Sequence, residues 1–138
     1  MTLGESVRYA SECDTCGAPA VSDGGEGLVD GQVHWSIAQT CAACGSHVIA
    51  CGRSDVPGDL RERLLSEHGP TRLTLRDLPS SAVVLMKVVR AELGVDLIEA
   101  KAIAQRIRRG AQTGTLTEMA FLAHRLHQAG IQAATERP

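Results

Sequence analysis

Two Cys-x-x-Cys knuckles, Cys13-Asp14-Thr15-Cys16 and Cys41-Ala42-Ala43-Cys44, constrain this chain more than anything else in it. The interval between them has room for one β-hairpin. Four thiolates on two tight turns can surround a tetrahedral metal ion, and zinc is the usual occupant. A redox Cys-x-x-Cys usually occurs once and opens a helix behind a strand. Here there are two, in turns that carry Gly17 and Gly45. The first third therefore reads as a zinc ribbon, with Cys13, Cys16, Cys41 and Cys44 holding one structural Zn2+. Four cysteines leave no open coordination position, so this metal is expected to be structural and not catalytic. Cys51, His34 and His47 could substitute as ligands, but four cysteines already suffice. Cys51 reads as a small buried residue, and the two histidines as exposed strand or turn residues.

At 138 residues the chain holds one ordinary domain or two very small ones. The cysteine-bearing piece is too small to bury much apolar surface, so metal binding must supply folding energy there. The remainder is rich in Leu, Val, Ile and Ala and can build its own core. Charge divides the same way. Residues 1–57 carry Arg8 and Arg53 against Glu5, Glu12, Asp14, Asp23, Glu26, Asp30 and Asp55, while residues 58–138 carry 12 bases against 9 acids. An acidic ribbon is poorly suited to phosphates, since nucleic-acid affinity comes mostly from Lys and Arg. The N-terminus has no basic start or apolar run, so no signal peptide is expected. No stretch approaches the roughly 20 apolar residues of a membrane span. Five cysteines, an odd count, favour metal over a disulfide framework and imply a reducing cytoplasm.

Along the chain, residues 1–12 are polar and expected to be loosely ordered. Ser22-Asp23-Gly24-Gly25-Glu26-Gly27 reads as a flexible turn. Val33–Ile37 alternates like a strand, and Val48–Cys51 reads as the ribbon's last strand. A short helix from Ser54 to about Glu67 follows, with Pro57 in its first turn, and Gly69-Pro70 stops it. This gives three parts: ribbon (1–53), linker helix (54–70) and a second domain (71–138). In that domain, 72–78 alternates as a strand, and Pro79-Ser80-Ser81 turns the chain and caps a helix over 82–93. Gly94 ends that helix. Asp96 caps the next one, with Glu99 placed to complete a capping box. Leu97, Ala100, Ile103, Ala104 and Ile107 form its apolar stripe. After a 110–114 loop, Thr115 and Glu118 make a second capping box, opening a helix to Ala129. Gly130 ends it, and 131–134 can return as a strand. The fold class expected is α+β: a small β-hairpin ribbon, then a three-helix, small-sheet α/β sandwich.

The order and residues of 71–135, about half the chain, resemble the C-terminal domain of the bacterial ribosomal stalk protein, the large-subunit family called seven/twelve. Val83-Val84-Leu85-Met86-Lys87-Val88-Val89-Arg90 is similar to that family's Val-x-Val-Ile-Lys-x-Val-Arg helix. Gly94-Val95-Asp96-Leu97-Ile98-Glu99-Ala100-Lys101 is similar to its Gly-Leu-Gly-Leu-Lys-Glu-Ala-Lys signature, and Leu126–Ile131 to its Leu-Glu-x-Ala-Gly-Ala ending. Three departures stand out. Asp96 replaces the second glycine, and Ala82 stands where a lysine is usual. A ribbon takes the place of the dimerisation helices and hinge, so the chain is not expected to anchor on the ribosome as a stalk protein does. The Clp-protease adaptor shares the same sandwich, so fold alone does not assign function.

The 82–93 helix is apolar around more than half its circumference, with Lys87 and Arg90 in the remaining sector. A helix packed on one sheet needs only one apolar stripe, so the surplus reads as a docking patch. The stalk resemblance implies partner contact by Val83, Met86, Lys87, Arg90 and Lys101, with a translational GTPase or ribosomal component as partner. The opposing reading has Val83 and Met86 covered by the ribbon or the linker helix. Arg106, Arg108 and Arg109 suit a helix C-terminus. His124 and His127, three apart with no carboxylate between them, read as surface residues. No Gly-x-Ser-x-Gly, P-loop or Gly-x-Gly-x-x-Gly occurs. The expectation is a non-enzymatic, translation-associated ribosomal-type protein. The alternatives are a Clp-adaptor-like regulator with an unrelated partner and a nucleic-acid-binding ribbon, which the acidic charge argues against.

Overall fold

The computed structural model describes residues 3–76 and 82–137. The chain is α+β and divides into two compact units, Met1–His68 and Gly69–Pro138. Among the described residues, no helix is long and apolar enough to cross a membrane.

The first unit is an antiparallel sheet in the order β1 (Leu3–Glu12), β2 (Pro19–Val29), β3 (Gln32–Thr40), β4 (His47–Arg53), followed by helix α1 (Gly58–His68). Two expectations fail here. Residues 3–12 form a strand, and 22–27 lie inside β2, paired residue for residue with β1 and β3. The missed signal is Asp30-Gly31. Val29 pairs with Gln32, so these two residues are the whole loop, and both have positive φ (51° and 76°). That is the backbone of a type I′ hairpin, which Asp-Gly supplies at low steric cost. Its tight turn sets the register that carries the glycine-rich run into the sheet.

The glycines of β2 also have a packing role. Ala20, Ser22, Gly24, Glu26 and Leu28 alternate onto the buried face. A Cβ on Gly24 would lie 2.6 Å from Leu60 Cδ1, so the missing side chain is what lets α1 approach. Leu60 and Leu64 of α1 are fully buried. Arg63 stacks over Tyr9, 3.9 Å from the ring centroid, and pairs with Asp59 one turn back at 3.0 Å. The His68 ring donates to Ser6 O at 2.8 Å. The helix read as a linker is thus part of the first unit. Nearby, Trp35 lies over Gly52 and donates from Nε1 to Ser54 O at 2.9 Å.

The second unit is a sheet ordered β6 (Thr113–Gly114), β5 (Thr71–Leu75), β7 (Ala133–Glu136), covered by α2 (Ala82–Leu93), α3 (Leu97–Arg108) and α4 (Leu116–Gln128). The helices match their expected spans closely. The strands differ more. Strand β5 ends at Leu75, and Asp77, Leu78 and the Pro79-Ser80-Ser81 cap lie outside the described residues. Two residues of the expected 110–114 loop pair as β6. Strand β7 begins two residues late, because Ile131 N still bonds back to Leu126 O of α4 at 2.8 Å. The caps follow the side-chain chemistry. Asp96 Oδ1 accepts from Glu99 N at 2.8 Å. Thr115 and Glu118 make both bonds of a capping box, at 3.2 and 3.0 Å. Gly94 and Gly130 follow α2 and α4 with φ of 63° and 82°.

One apolar core fills this unit: Leu73 from the sheet, Leu85 and Val89 from α2, Ala100, Ile103, Ala104 and Ile107 from α3, and Met119, Leu122 and Leu126 from α4. Arg125 joins α4 to α2 through Glu92 at 3.4 Å. The His127 ring donates to Ala133 O at 2.8 Å, so this residue, read as merely superficial, ties α4 to the last strand.

Candidate metal centre

The sheet brings the knuckles together. The first knuckle is the loop joining β1 to β2, and the second joins β3 to β4. In an up-and-down sheet these loops lie at the same end, opposite the Asp30-Gly31 hairpin, and β2 and β3 are neighbours. Two cysteine pairs separated by 24 intervening residues therefore meet by topology. The turns are alike in detail. Gly17 N donates to Cys13 O and Gly45 N to Cys41 O, both at 2.9 Å. Cys13 N and Cys41 N bond to Ala18 O and Ser46 O at 2.8 and 3.0 Å. Gly17 and Gly45 take positive φ (76° and 74°), which a side chain would oppose.

The four sulfurs of Cys13, Cys16, Cys41 and Cys44 all lie within 4.8 Å of one another. Cys13 and Cys44 are 3.8 Å apart, and Cys16 and Cys41 3.6 Å. Metal–sulfur bonds of about 2.3 Å in a tetrahedron require sulfurs about 3.8 Å apart. The donor set and its spacing therefore fit one tetrahedral ion. Cys13 and Cys41 are buried, Cys16 and Cys44 exposed. Among the described residues, His34, His47 and Cys51 stand outside this cluster. The His47 ring bonds Thr40 Oγ1 at 3.1 Å, and Cys51 lies exposed on β4 opposite Ser36, not buried as expected.

The thiols of this cluster differ in acidity with their neighbours. The Cys13 thiol is drawn down to about 6, first by the Ser46 hydroxyl and then by the backbone amides of Cys16 and Thr15. Cys44 is lowered too, again by Ser46 first. Cys16 is pushed up to about 12. The Ala18 amide lowers it, but the adjoining Cys41 and Cys44 sulfurs oppose another negative charge and prevail. Four sulfurs this close cannot all ionise unaided, and a divalent ion removes that repulsion.

Two supporting residues escaped the sequence reading. Ser46 Oγ lies 3.1 Å from Cys44 Sγ and 3.4 Å from Cys13 Sγ, bridging the knuckles. Its place two residues after Cys44 was the available signal. Buried Gln39 donates to Glu12 O at 2.8 Å and to Ser11 Oγ at 3.1 Å, and accepts from Asp14 N at 3.0 Å. It fastens β3 to the first knuckle, a role that depends on cross-strand pairing and leaves no local mark.

The residues expected to meet a partner divide by burial. Val83, Lys87 and Arg90 are exposed along α2 at positions i, i+4 and i+7, and Lys101 is exposed on α3. Met86 is half-buried against the unit's own core. Leu97, expected at the head of α3's apolar stripe, is instead 55% exposed, because it sits at the first position of the helix, ahead of the buried face that begins at Ala100; Ile98, not singled out from the sequence, is 83% exposed. Compared with protein families, with curated proteins and with solved structures, the chain matches none of them.

Proposed function

We propose that this is a non-enzymatic docking protein of ribosomal-stalk type, with a ribbon held by one structural zinc ion. The observation that supports docking is the distribution of exposed large apolar side chains. Of eight among the described residues, five (Val83, Val84, Leu93, Leu97 and Ile98) fall on α2, α3 and the turn between them, interspersed with Lys87, Arg90 and Lys101. Apolar surface edged by cations suits a protein partner with an acidic rim. The resemblance of 83–101 to the stalk signature makes that partner a translational GTPase or a ribosomal component, in the cytoplasm.

Zinc is favoured because a tetrahedral set of four thiolates suits zinc or iron, and the first needs no redox partner. All five cysteines are free of disulfides, as a reducing compartment requires. Metal analysis of protein purified without added metal should return one zinc per chain; iron in that place would overturn the assignment.

Docking is tested by affinity capture from lysate, comparing wild type with the Lys87→Glu/Arg90→Glu pair. Both side chains are exposed, so the circular-dichroism spectrum should not change. Translational GTPases or ribosomal proteins lost with the variant would support the proposal. A variant-sensitive partner outside translation would favour the adaptor reading, and capture of nucleic acid with steep salt dependence would overturn both.

A further inference from the structure

Strand β4 is the outer strand of the first sheet, and the two edges of that sheet are built differently. Edge β1 is guarded. It carries Glu5, Arg8 and Glu12, and His68 occupies the carbonyl of Ser6. Charges and covered backbone groups are the usual means by which an edge is kept from pairing. Edge β4 is less guarded, with Arg53 its one permanent charge, at the last position. From Val48 to Gly52 it holds no charge and no proline. It has no bulge, since its register with β3 runs one to one from His47 to Arg53. Ile49 is 61% exposed and Val48 40%.

The direction of its free backbone groups follows from one bond. Ser54 N donates to Val33 O at 3.1 Å, which makes that opposed pair a hydrogen-bonded one. Bonded pairs alternate in an antiparallel ladder. Gly52, Ala50 and Val48 therefore bond to β3, and the amides of Arg53, Cys51, Ile49 and His47 face outward.

We infer that β4 is a self-pairing edge, through which two copies of this chain join their four-stranded sheets into one of eight. On both sides of Ala50 the strand is uncharged for two residues and ends in a basic side chain, His47 or Arg53. Antiparallel pairing centred there sets outward amides against outward amides over all seven residues. Ile49 then meets Cys51 of the second copy, Val48 meets Gly52, and His47 meets Arg53. No acidic side chain is brought in, and no two lysines or arginines are opposed. An edge uncharged from Val48 to Gly52 offers little over that span to select an acidic or basic peptide, whereas its outward amides match those of a second copy in register. One strand pair is a small contact, so the dimer is weak and depends on concentration. The inference is independent of which metal the knuckles hold.

The test is sedimentation velocity on the full metal-loaded chain from about 1 μM to about 1 mM. Wild type should pass from monomer to dimer in that range. Ile49→Lys places a charge on the edge and should weaken dimerisation on the order of tenfold or more, with metal content and circular dichroism unchanged. Ile49→Cys should form a disulfide-linked dimer under mild oxidation, and adding Cys51→Ser should abolish it. A chain that stays monomeric throughout would overturn the inference. So would a dimer indifferent to Ile49→Lys, or a crosslink that survives the loss of Cys51.

Discussion

The two units of this chain have nearly equal lengths and opposite means of support. The second closes around an apolar core of leucines, isoleucines and alanines drawn from three helices and a strand. In the first, Leu60 and Leu64 are the only fully buried large aliphatic side chains among the described residues, with Leu28 nearly so, and the buried cluster at the knuckle end is Cys13, Ala20 and Cys41. A unit of this size with so few buried aliphatics lacks the burial that sustains a domain alone. Its deficit lies at the end where four sulfurs converge. The lesson is that an open, glycine-containing sheet with little core brings its candidate metal ligands together where burial is scarce.

The largest effect should come from chelation. Structural zinc contributes on the order of 10–16 kcal/mol of apparent binding energy in small domains, more than a small unit's whole stability. Stripping the metal, or Cys41→Ser, should therefore unfold the ribbon while the helical signal of the second unit persists. Amide spectra that keep the β1–β4 resonances in excess chelator would break the comparison.

Next is the converse in the second unit. Leu126, fully buried, replaced by alanine should cost about 2–5 kcal/mol. Thermal unfolding would then show the helical transition falling with metal content unaltered. A loss of metal in this variant would mean that the units are not independently supported.

Gly24→Ala sharpens the account of the first unit. The added methyl meets Leu60 Cδ1, and overpacking of this kind costs about 1–3 kcal/mol. Denaturant titration of the metal-bound protein should show it. A neutral result would mean that α1 adjusts freely and contributes little.

The smallest effect is expected at a cap. Thr115→Ala removes the bond to Glu118 N and should cost about 1 kcal/mol, confined to the second unit. Hydrogen exchange at the first turn of α4 would locate the loss.

How much was legible in advance differs between the units for the same reason that their stability does. Helices announce themselves locally. The α3 stripe, the Asp96 cap and the Thr115–Glu118 box each depend on residues close in sequence; both caps appear where expected, and the stripe does so from Ala100 to Ile107, with Leu97 left exposed. Strands β1 and β2 do not announce themselves. A run such as Ser22–Gly27 has low strand propensity, and only pairing with both neighbours makes it a strand. The four cysteines were legible because a chelating motif is defined by chemistry and spacing. Their supports, Ser46 and Gln39, were not.

By itself the sequence determined the donor set, the helical half with its caps and apolar faces, and the division of charge. These depend on residue type and short-range periodicity, which any local window contains. Only the tertiary structure decided that the two knuckles close on one point, that α1 belongs to the ribbon because Gly24 admits Leu60, and that β4 is left as a bare edge. Each is a relation between residues far apart in sequence, set by strand order and register, and no local propensity encodes it.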